Sequence, residues 1–296
     1  MVNAPWRGAL LMTAAVTLQP VNQAVAKHLT AELPVIEIVW GRLLFHCIIA
    51  LPFVISGHGL HGLRVPNPGI QVARGGLFCA ATIFLFAALA HIPMADAISL
   101  VFVAPLVVTA LSPFLLGERV GPRRWFAVAI GFAGALIVVR PGAGAMEWAA
   151  LFALGSGLTY GLYLLVTRRI AGTAPSAVTL VYTALVGAVI TSAMLPFFWV
   201  PPTPLAWAWL AFSGAGSALV HLCVIRAYHY AEASLIAPLS YGEIVMATLL
   251  GYLVFGDFPD AVTWLGVGVI VSAGVYVSLR GRRSGTSPSI SRPRGE

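Results

Sequence analysis

The amino-acid sequence predicts an all-α membrane protein in which ten transmembrane helices form two inverted five-helix repeats around a central cavity, with both termini cytoplasmic. Its composition, its evenly spaced apolar segments and an internal repeat together predict this fold. Hydrophobic residues make up 59% of the 296 residues, charged residues 9%, and the mean hydropathy is +0.91. Soluble domains typically carry about 25% charged residues. Because the chain has too few charges to cover a soluble surface, lipid is expected to surround most of it.

Ten apolar segments approach the roughly 20 residues that a helix needs to cross a bilayer. Short connections rich in Gly and Pro separate them. The first segment ends in Ala24-Val25-Ala26, which resembles a signal-peptidase site. Its apolar stretch of about 18 residues is longer than that of a signal peptide, so it is expected to remain as a helix. The predicted spans are 8–26, 34–56, 70–91, 94–116, 122–139, 147–167, 176–198, 206–226, 233–256 and 262–280.

The two halves of the chain contain matching landmarks. Gly117, Glu118 and Trp125 recur 139 residues later as Gly256, Asp257 and Trp264. We therefore predict a tandem duplication, with one repeat in residues 1–140 and the other in residues 141–282. Because five spans is an odd number, the second repeat enters the membrane from the opposite side, which is the inverted arrangement of many transporters. The polar segment 283–296 is predicted to be a disordered cytoplasmic tail.

Positive charges determine the predicted orientation. With the N-terminus in the cytoplasm, 14 of the 17 Lys and Arg residues fall on the cytoplasmic side, and Arg74 is one of these 14. The exceptions are Lys27 and Arg140 on the outer side and Arg42 inside the membrane. Cytoplasmic loops are normally enriched in Lys and Arg. The net charge of +7 does not indicate a nucleic-acid partner, because the basic residues lie between spans rather than on one face.

Several short motifs resemble one known family. The first half contains them at residues 36–42, 117–125, 131–134 and 139–142, and the second half at residues 238–241 and 255–259. In this order, with ten spans, the chain resembles the EamA-like transporters of the drug/metabolite transporter superfamily. Asp257 stands where that family commonly has Glu. The resemblance implies a ten-helix bundle with a central substrate cavity that exports or exchanges small metabolites.

Polar residues in the first and second spans are candidates for substrate binding. A polar side chain in lipid costs several kcal/mol unless it is paired or faces water. Gln19, Asn22 and Gln23 surround Pro20, which frees a backbone carbonyl, and together they could form a cavity wall. Arg42 in the second span cannot lose its charge. It therefore needs an anionic substrate, water, a backbone carbonyl or an interhelical carboxylate.

The ninth span contains the strongest candidate, Glu243, which lies near the bilayer midplane beside Ser240 and Tyr241. Glu243 could bind a substrate amine or carry a proton, and a structural hydrogen bond to a neighbouring helix is the alternative. Tyr241 is also a candidate for stacking on an aromatic or apolar substrate, together with Trp40 and Tyr163. The matched spans four and nine are both predicted to be interrupted by proline, at Pro105 and Pro113 in one and at Pro238 in the other. Matched breaks are typical of a midplane binding site, and lipid-facing kinks are the alternative.

Five titratable residues are candidates for coupling or gating. Glu37 and Asp96 lie towards the outer side and could act as a gate, and Glu243 could carry the coupling ion. His46 and His221 could titrate near neutral pH, although a lone helical His more often serves packing.

The sequence thus favours a secondary transporter of small organic metabolites, amino acids or related hydrophobic compounds, in a bacterial inner membrane. No phosphate-binding loop or metal-ligand spacing is present, so neither an enzyme nor a cofactor nor a metal is expected. Protons are a candidate coupling ion, and a monomer suffices although a dimer is compatible. A multidrug, cation or nucleoside-like metabolite transporter is the alternative function, and a membrane receptor or structural protein is the alternative class.

Overall fold

The computed structural model describes residues 4–59, 64–118, 120–140, 147–170, 173–231 and 239–281. Within these residues the chain is helical and contains no strand. The all-α class is therefore confirmed. The helices are α1 (Pro5–Leu29), α2 (Val35–His58), α3 (Pro68–Leu89), α4 (Met94–Val101), α5 (Ala104–Leu116), α6 (Pro122–Val139), α7 (Glu147–Arg169), α8 (Ser176–Met194) with a 3-10 turn at Leu195–Phe197, α9 (Pro204–Tyr230), α10 (Gly242–Phe255) and α11 (Ala261–Gly281).

Seven helical segments in the described part of the chain are long and apolar enough to cross a membrane, and two shorter apolar helices lie at Gly242–Phe255 and Ala261–Tyr276. Helix α1 is in neither group, because the amides of Gln19, Asn22 and Gln23 lower its hydropathy. The described helices coincide with the predicted apolar segments to within a few residues, and the predicted start of the ninth segment lies outside the described residues. That all ten segments cross the membrane stays a prediction, as do the inverted repeats and the cytoplasmic position of both termini. The predicted tail 283–296 lies outside the described residues.

The fourth predicted span is broken in its middle. Helix α4 ends at Val101 and α5 begins at Ala104. Pro105 has no N–H, so the carbonyl of Val101 lacks its helical donor. Just before the proline, the N–H of Val103 donates to Leu100 O at 3.2 Å, which is the three-residue spacing of a tighter turn. The predicted interruption is thus confirmed at Pro105, whereas the interruption predicted at Pro113 is wrong, because α5 continues through that residue. Pro238, its predicted counterpart in the ninth span, lies outside the described residues.

The helices pack in matched pairs. Helix α1 lies along α9, α3 along α7, and α6 along α11. Helix α2 contacts both α8 and α9, and α3 also contacts α8. The α6–α11 pair approaches closely because small residues meet there: a Cβ atom at Gly266 would lie 2.9 Å from the carbonyl oxygen of Gly134. Small residues at such a crossing are typical of membrane helices.

Enlarging Gly266 is therefore expected to destabilise the bundle. In Gly266→Val the new side chain would overlap Val138 and the Gly134 carbonyl. Overpacking of this kind lowers the free energy of unfolding by about 1–3 kcal/mol. Thermal unfolding in detergent should show a lower Tm. Gly268→Val is the matched control on the same helix, because a Cβ there meets nothing within 4 Å. Equal Tm values for both variants would contradict the close packing.

Ion pairs join the two halves of the chain at one end of the bundle. The Nζ atom of Lys27, near the end of α1, lies 2.6 Å from Asp257 Oδ2 and donates to Ile92 O at 3.1 Å. Arg140, just after α6, pairs with Asp260, and this guanidinium holds the pKa of the Asp260 carboxyl well below its usual range. At the opposite end, Arg168 Nη2 lies 2.6 Å from Glu118 Oε1.

Arg74, which the sequence counts among the cytoplasmic charges, lies near the start of α3 and is not a surface charge. The structure buries it completely in α3, where it contacts α7 and α8. Its charge therefore belongs to the interior of the bundle.

Candidate functional site

A cavity of about 460 Å³ lies inside the bundle. Helices α1, α2, α3, α4, α5, α7, α9 and α10 contribute to its wall. On α1 the lining residues run from Met12 to Gln23, and on α9 they run from Val220 to Tyr228. The lining therefore lies at mid-length of α1 and near the end of α9. Of the predicted site residues, it brings together Gln19, Gln23, Arg42, His221, Ser240, Tyr241 and Glu243.

Glu243 is the acidic residue of the cavity wall. It occupies the first turn of α10, where unpaired backbone N–H groups and the helix dipole favour a negative charge. Gln23 Nε2 on α1 donates to Glu243 Oε1 at 2.9 Å. No described basic group lies within ion-pair distance of this carboxylate. Glu243 is thus held by one neutral donor and can accept a cationic group from the cavity.

Arg42 is the basic residue of the wall. Its Nη2 atom donates to Ser217 Oγ on α9 at 3.3 Å, and the guanidinium carbon lies 5.3 Å from the ring centroid of Phe86. Its Nε atom has no partner among the described residues, and no described carboxylate forms an ion pair with it. A buried charge without a counter-ion costs several kcal/mol. The arrangement therefore suits an anionic group entering the cavity.

Two histidines lie beside Arg42. The ring centroids of His46 and His221 are 5.3 Å apart. His46 Nδ1 lies 3.2 Å from Ser217 Oγ, and His221 Nδ1 lies 2.8 Å from the backbone oxygen of Ser217. Because a carbonyl oxygen only accepts, His221 Nδ1 must carry the donated proton. His221 lines the cavity, whereas His46 is not part of its wall.

Aromatic rings form two further parts of the wall. Phe102, at the break between α4 and α5, packs on Tyr241 with ring centroids 5.1 Å apart. On the α7 side, Tyr160 and Phe78 line the cavity, and both contact Tyr163 behind them, at 5.5 Å and 5.2 Å between centroids. Such spacings are those of favourable aromatic pairs. The cavity therefore combines opposite charges with flat apolar surfaces.

The remaining predicted site residues lie outside the cavity wall. Asn22 is buried against Gly216 of α9. Trp40 packs edge-on against Trp199 and Trp207 and donates through Nε1 to Ser192 Oγ at 2.9 Å.

The two outer-side carboxylates are also separate from the cavity. Glu37 is fully buried at the start of α2 and accepts the Val200 N–H at 3.1 Å. Asp96, in the first turn of α4, lies near Arg140, Asp260 and Thr263. Both therefore belong to the end of the bundle that contains the Lys27–Asp257 pair.

Sequence reasoning did not select Arg74, Phe78, Phe102 or Tyr160 as site residues. A usable signal was present for Arg74. Gln71, Arg74 and Phe78 are spaced three and four residues apart and so share one helix face. A glutamine and an arginine on the same face as a core aromatic indicate a buried polar cluster rather than a loop charge.

Comparison with known proteins decides the family. The EamA-like transporter family matches this chain over residues 6–140 and again over residues 147–280. The chain belongs to this family. The predicted resemblance is therefore confirmed, and with its apolar helices the family member is a multi-pass membrane protein.

Relatives with printed functions share most of the chain. An S-adenosylmethionine uptake transporter of Rickettsia bellii is 26% identical over 257 residues, covering 86% of this chain and 88% of the relative. A riboflavin transporter of Rhizobium johnstonii is 30% identical over 285 residues, covering 95% and 94%. The pseudopaline exporter CntI of Pseudomonas aeruginosa is 29% identical over 286 residues, covering 92% and 95%.

A solved crystal structure has the same fold. It superposes with a TM-score of 0.64 at 24% sequence identity, covering 94% of this chain and 99% of the other. These family relationships indicate a transporter of small metabolites rather than an enzyme.

Proposed function

We propose that this protein is a secondary transporter that moves small zwitterionic metabolites, amino acids or related hydrophobic compounds, across a bacterial inner membrane by alternating access. The observation that carries the proposal is the presence of Arg42 and Glu243 in one cavity, each without an ion-pair partner among the described residues. The relatives are named for three different small metabolites, which supports metabolite transport without fixing the substrate.

The cavity chemistry matches the two charged groups of an amino acid. A substrate carboxylate would receive charge-assisted hydrogen bonds from the planar guanidinium of Arg42. A substrate ammonium would donate to Glu243, and the apolar part would lie against the rings of Phe102, Tyr241 and Tyr160. A purely cationic drug fits less well, because it would be repelled by Arg42 and would leave that charge unpaired.

The helix packing supports two inverted repeats, 1–140 and 141–282. In the predicted repeats α1, α2 and α3 correspond to α7, α8 and α9, and α6 corresponds to α11. Exchanging the two repeats therefore turns the α1–α9 contact into the α7–α3 contact, and the α2–α9 contact into the α8–α3 contact. The α2–α8 and α6–α11 pairs map onto themselves. The two separate matches to one family, 6–140 and 147–280, are a second support.

In the proposed orientation the structure corresponds to an inward-facing shape. On α9 the cavity lining runs from Val220 to Tyr228, towards the helix end that this orientation assigns to the cytoplasm. The opposite end is held by the Lys27–Asp257 and Arg140–Asp260 ion pairs, and each pair joins one repeat to the other. Opening to the outside would require these pairs to separate.

Removing the Lys27–Asp257 pair is therefore expected to favour the outward-facing shape. An ion pair of this exposure contributes at most about 1 kcal/mol, which corresponds to about a fivefold change in the equilibrium. We expect Asp257→Asn to raise, by that factor, the rate at which an impermeant maleimide added outside labels a cysteine at Ala15, a cavity position.

Glu118→Gln is the matched control for this experiment, because it removes the Arg168 ion pair at the other end. Its outside labelling should not increase. An increase in both variants, or in neither, would contradict the assignment of Lys27 and Asp257 to the outer closure.

Vesicle flux tests the proposed function directly. The purified protein would be reconstituted into vesicles, and the vesicles would be loaded with an unlabelled amino acid. Uptake of the same amino acid in labelled form would then report counterflow. Counterflow of L-phenylalanine or L-leucine that requires both Arg42 and Glu243 is the expected result. Transport of a cationic dye with no amino-acid counterflow would favour the multidrug alternative, and no flux of either kind would favour a receptor or structural role.

A further inference from the structure

Arg74 is the second buried arginine of the bundle, and it lies outside the cavity. Its Nε atom donates to Gln71 Oε1 at 3.2 Å, and Nη1 lies 3.4 Å from both Tyr163 Oη and Thr167 Oγ1. Its Nη2 atom donates to the backbone oxygen of Thr179 and to the hydroxyl of Thr183. These acceptors come from α3, α7 and α8. One guanidinium thus fixes three helices relative to one another.

All of these acceptors are neutral. No described carboxylate forms an ion pair with Arg74, although its side chain is almost completely buried. A charge in this position is stabilised only by the hydrogen bonds and by the aromatic ring beside it, since the guanidinium carbon lies 5.3 Å from the ring centroid of Tyr163. Tyr163 therefore contacts Arg74 in two ways, through its hydroxyl and through its ring.

Tyr163 connects this cluster to the cavity. Its ring is stacked on Tyr160 at 5.5 Å with an interplanar angle of 21°, and it packs on Phe78 at 5.2 Å. Tyr160 and Phe78 both line the cavity, whereas Tyr163 lies behind them. The hydroxyl end of Tyr163 is bound to Arg74, and its ring face supports the two cavity rings. The position of the aromatic wall is thus set by a group that the cavity does not contain.

We propose that Arg74 is a positioning residue that fixes Tyr163 and thereby orients Tyr160 and Phe78 to receive a flat ring, so that the preferred substrates are zwitterionic metabolites that carry an aromatic group. This inference rests on the proposed function, since it refines the substrate class of the same cavity. Arg42 and Glu243 would bind the charged groups common to all amino acids. The Arg74-supported wall would distinguish aromatic from aliphatic side chains.

The test compares two substrates in the same full-length protein. Vmax/KM is measured in vesicles for L-phenylalanine and for L-leucine, in wild type and in Arg74→Gln. We expect wild type to prefer phenylalanine. Arg74→Gln should lower the phenylalanine-to-leucine ratio about three- to tenfold, the factor expected from the loss of one favourable aromatic contact. Its Vmax/KM for leucine should stay within about twofold of wild type.

Two more variants keep the test decisive if Arg74→Gln does not fold. Arg74→Lys retains the charge but lacks the planar fork that reaches Tyr163 and Thr183 together. It should lower the ratio in the same direction. Tyr163→Phe removes only the hydroxyl that Arg74 binds, and should lower the ratio by a similar factor. Combining Tyr163→Phe with Arg74→Lys should add little, because both changes break the same contact.

The outcomes separate this inference from the function on which it rests. If wild type transports both amino acids and the ratio is unchanged in the folded variants, the positioning role of Arg74 is overturned while the proposed function stands. Equal losses for both substrates would also overturn it, because they would indicate a general structural role. If wild type transports neither amino acid, the proposed function fails and this inference fails with it.

Discussion

Replacing Arg42 with Gln is expected to weaken the binding of a zwitterionic substrate about thirty- to hundredfold. The guanidinium is the basic group of the cavity wall, and its hydrogen-bonding capacity is only partly used by Ser217. A hydrogen bond to a charged group contributes roughly 1.5–3 kcal/mol, and a bidentate pair lies at the upper end of that range. The Kd of purified protein for L-phenylalanine, measured by calorimetry in detergent, gives the result.

Two control variants identify the cause of such a loss. Arg42→Lys keeps the positive charge without the planar fork, so an intermediate Kd is expected. Arg168→Gln removes an exposed arginine at the end of the bundle and should leave the Kd unchanged. A wild-type Kd in Arg42→Gln would mean that the carboxylate of L-phenylalanine binds elsewhere.

Glu243→Gln is expected to have an effect of similar size on the same substrate. The variant keeps the shape of the side chain and can still accept the hydrogen bond from Gln23, so the fold should be retained. It loses the negative charge that would attract an ammonium group. We expect the Kd for L-phenylalanine to rise about ten- to hundredfold. An uncharged analogue that lacks the amino group should bind wild type and variant equally.

Glu243 also provides the test of proton coupling. As the carboxylate of the cavity wall, it is the candidate to carry a proton between the two sides. Flux driven by a pH gradient should therefore disappear in Glu243→Gln and persist in Glu37→Gln, since Glu37 is buried against Val200 outside the cavity. Gradient-driven flux that survives in Glu243→Gln at saturating substrate would assign the coupled proton to another group, whereas wild-type flux that does not respond to the pH gradient would indicate a uniporter or exchanger without protons.

The helix positions were predictable because each one follows from a simple length requirement. A segment that must cross a bilayer needs enough apolar residues, and Gly and Pro mark the connections. The break of the fourth span was predicted from proline, which removes a backbone donor. Proline alone does not identify where the break occurs, because Pro113 lies inside α5 without ending it. The charged cavity residues Arg42 and Glu243 stood out because ionisable groups are rare in apolar segments.

The rotation of each helix about its axis was not predictable in the same way. In a soluble helix the polar side identifies the solvent-facing surface, but in lipid the outer and inner faces are both apolar. Nothing in the sequence therefore shows that Trp40 faces Trp199 and Trp207 while Arg42, two residues later, faces the cavity. For the same reason the sequence does not show that Arg74, which it counts among the cytoplasmic charges, faces α7 and α8 inside the bundle.

The interruption between α4 and α5 gives the bundle a joint at the level of the cavity. Helix α4 packs on α7 and α10, whereas α5 packs on α6 and α7, so the two halves of this span have partly different neighbours. Residues Val101, Phe102 and Pro105 at the interruption all line the cavity. Because the regular hydrogen bonding is already absent there, the two halves can change their mutual angle without breaking the ladder of either helix. One end of the bundle can thus move while the other keeps its packing.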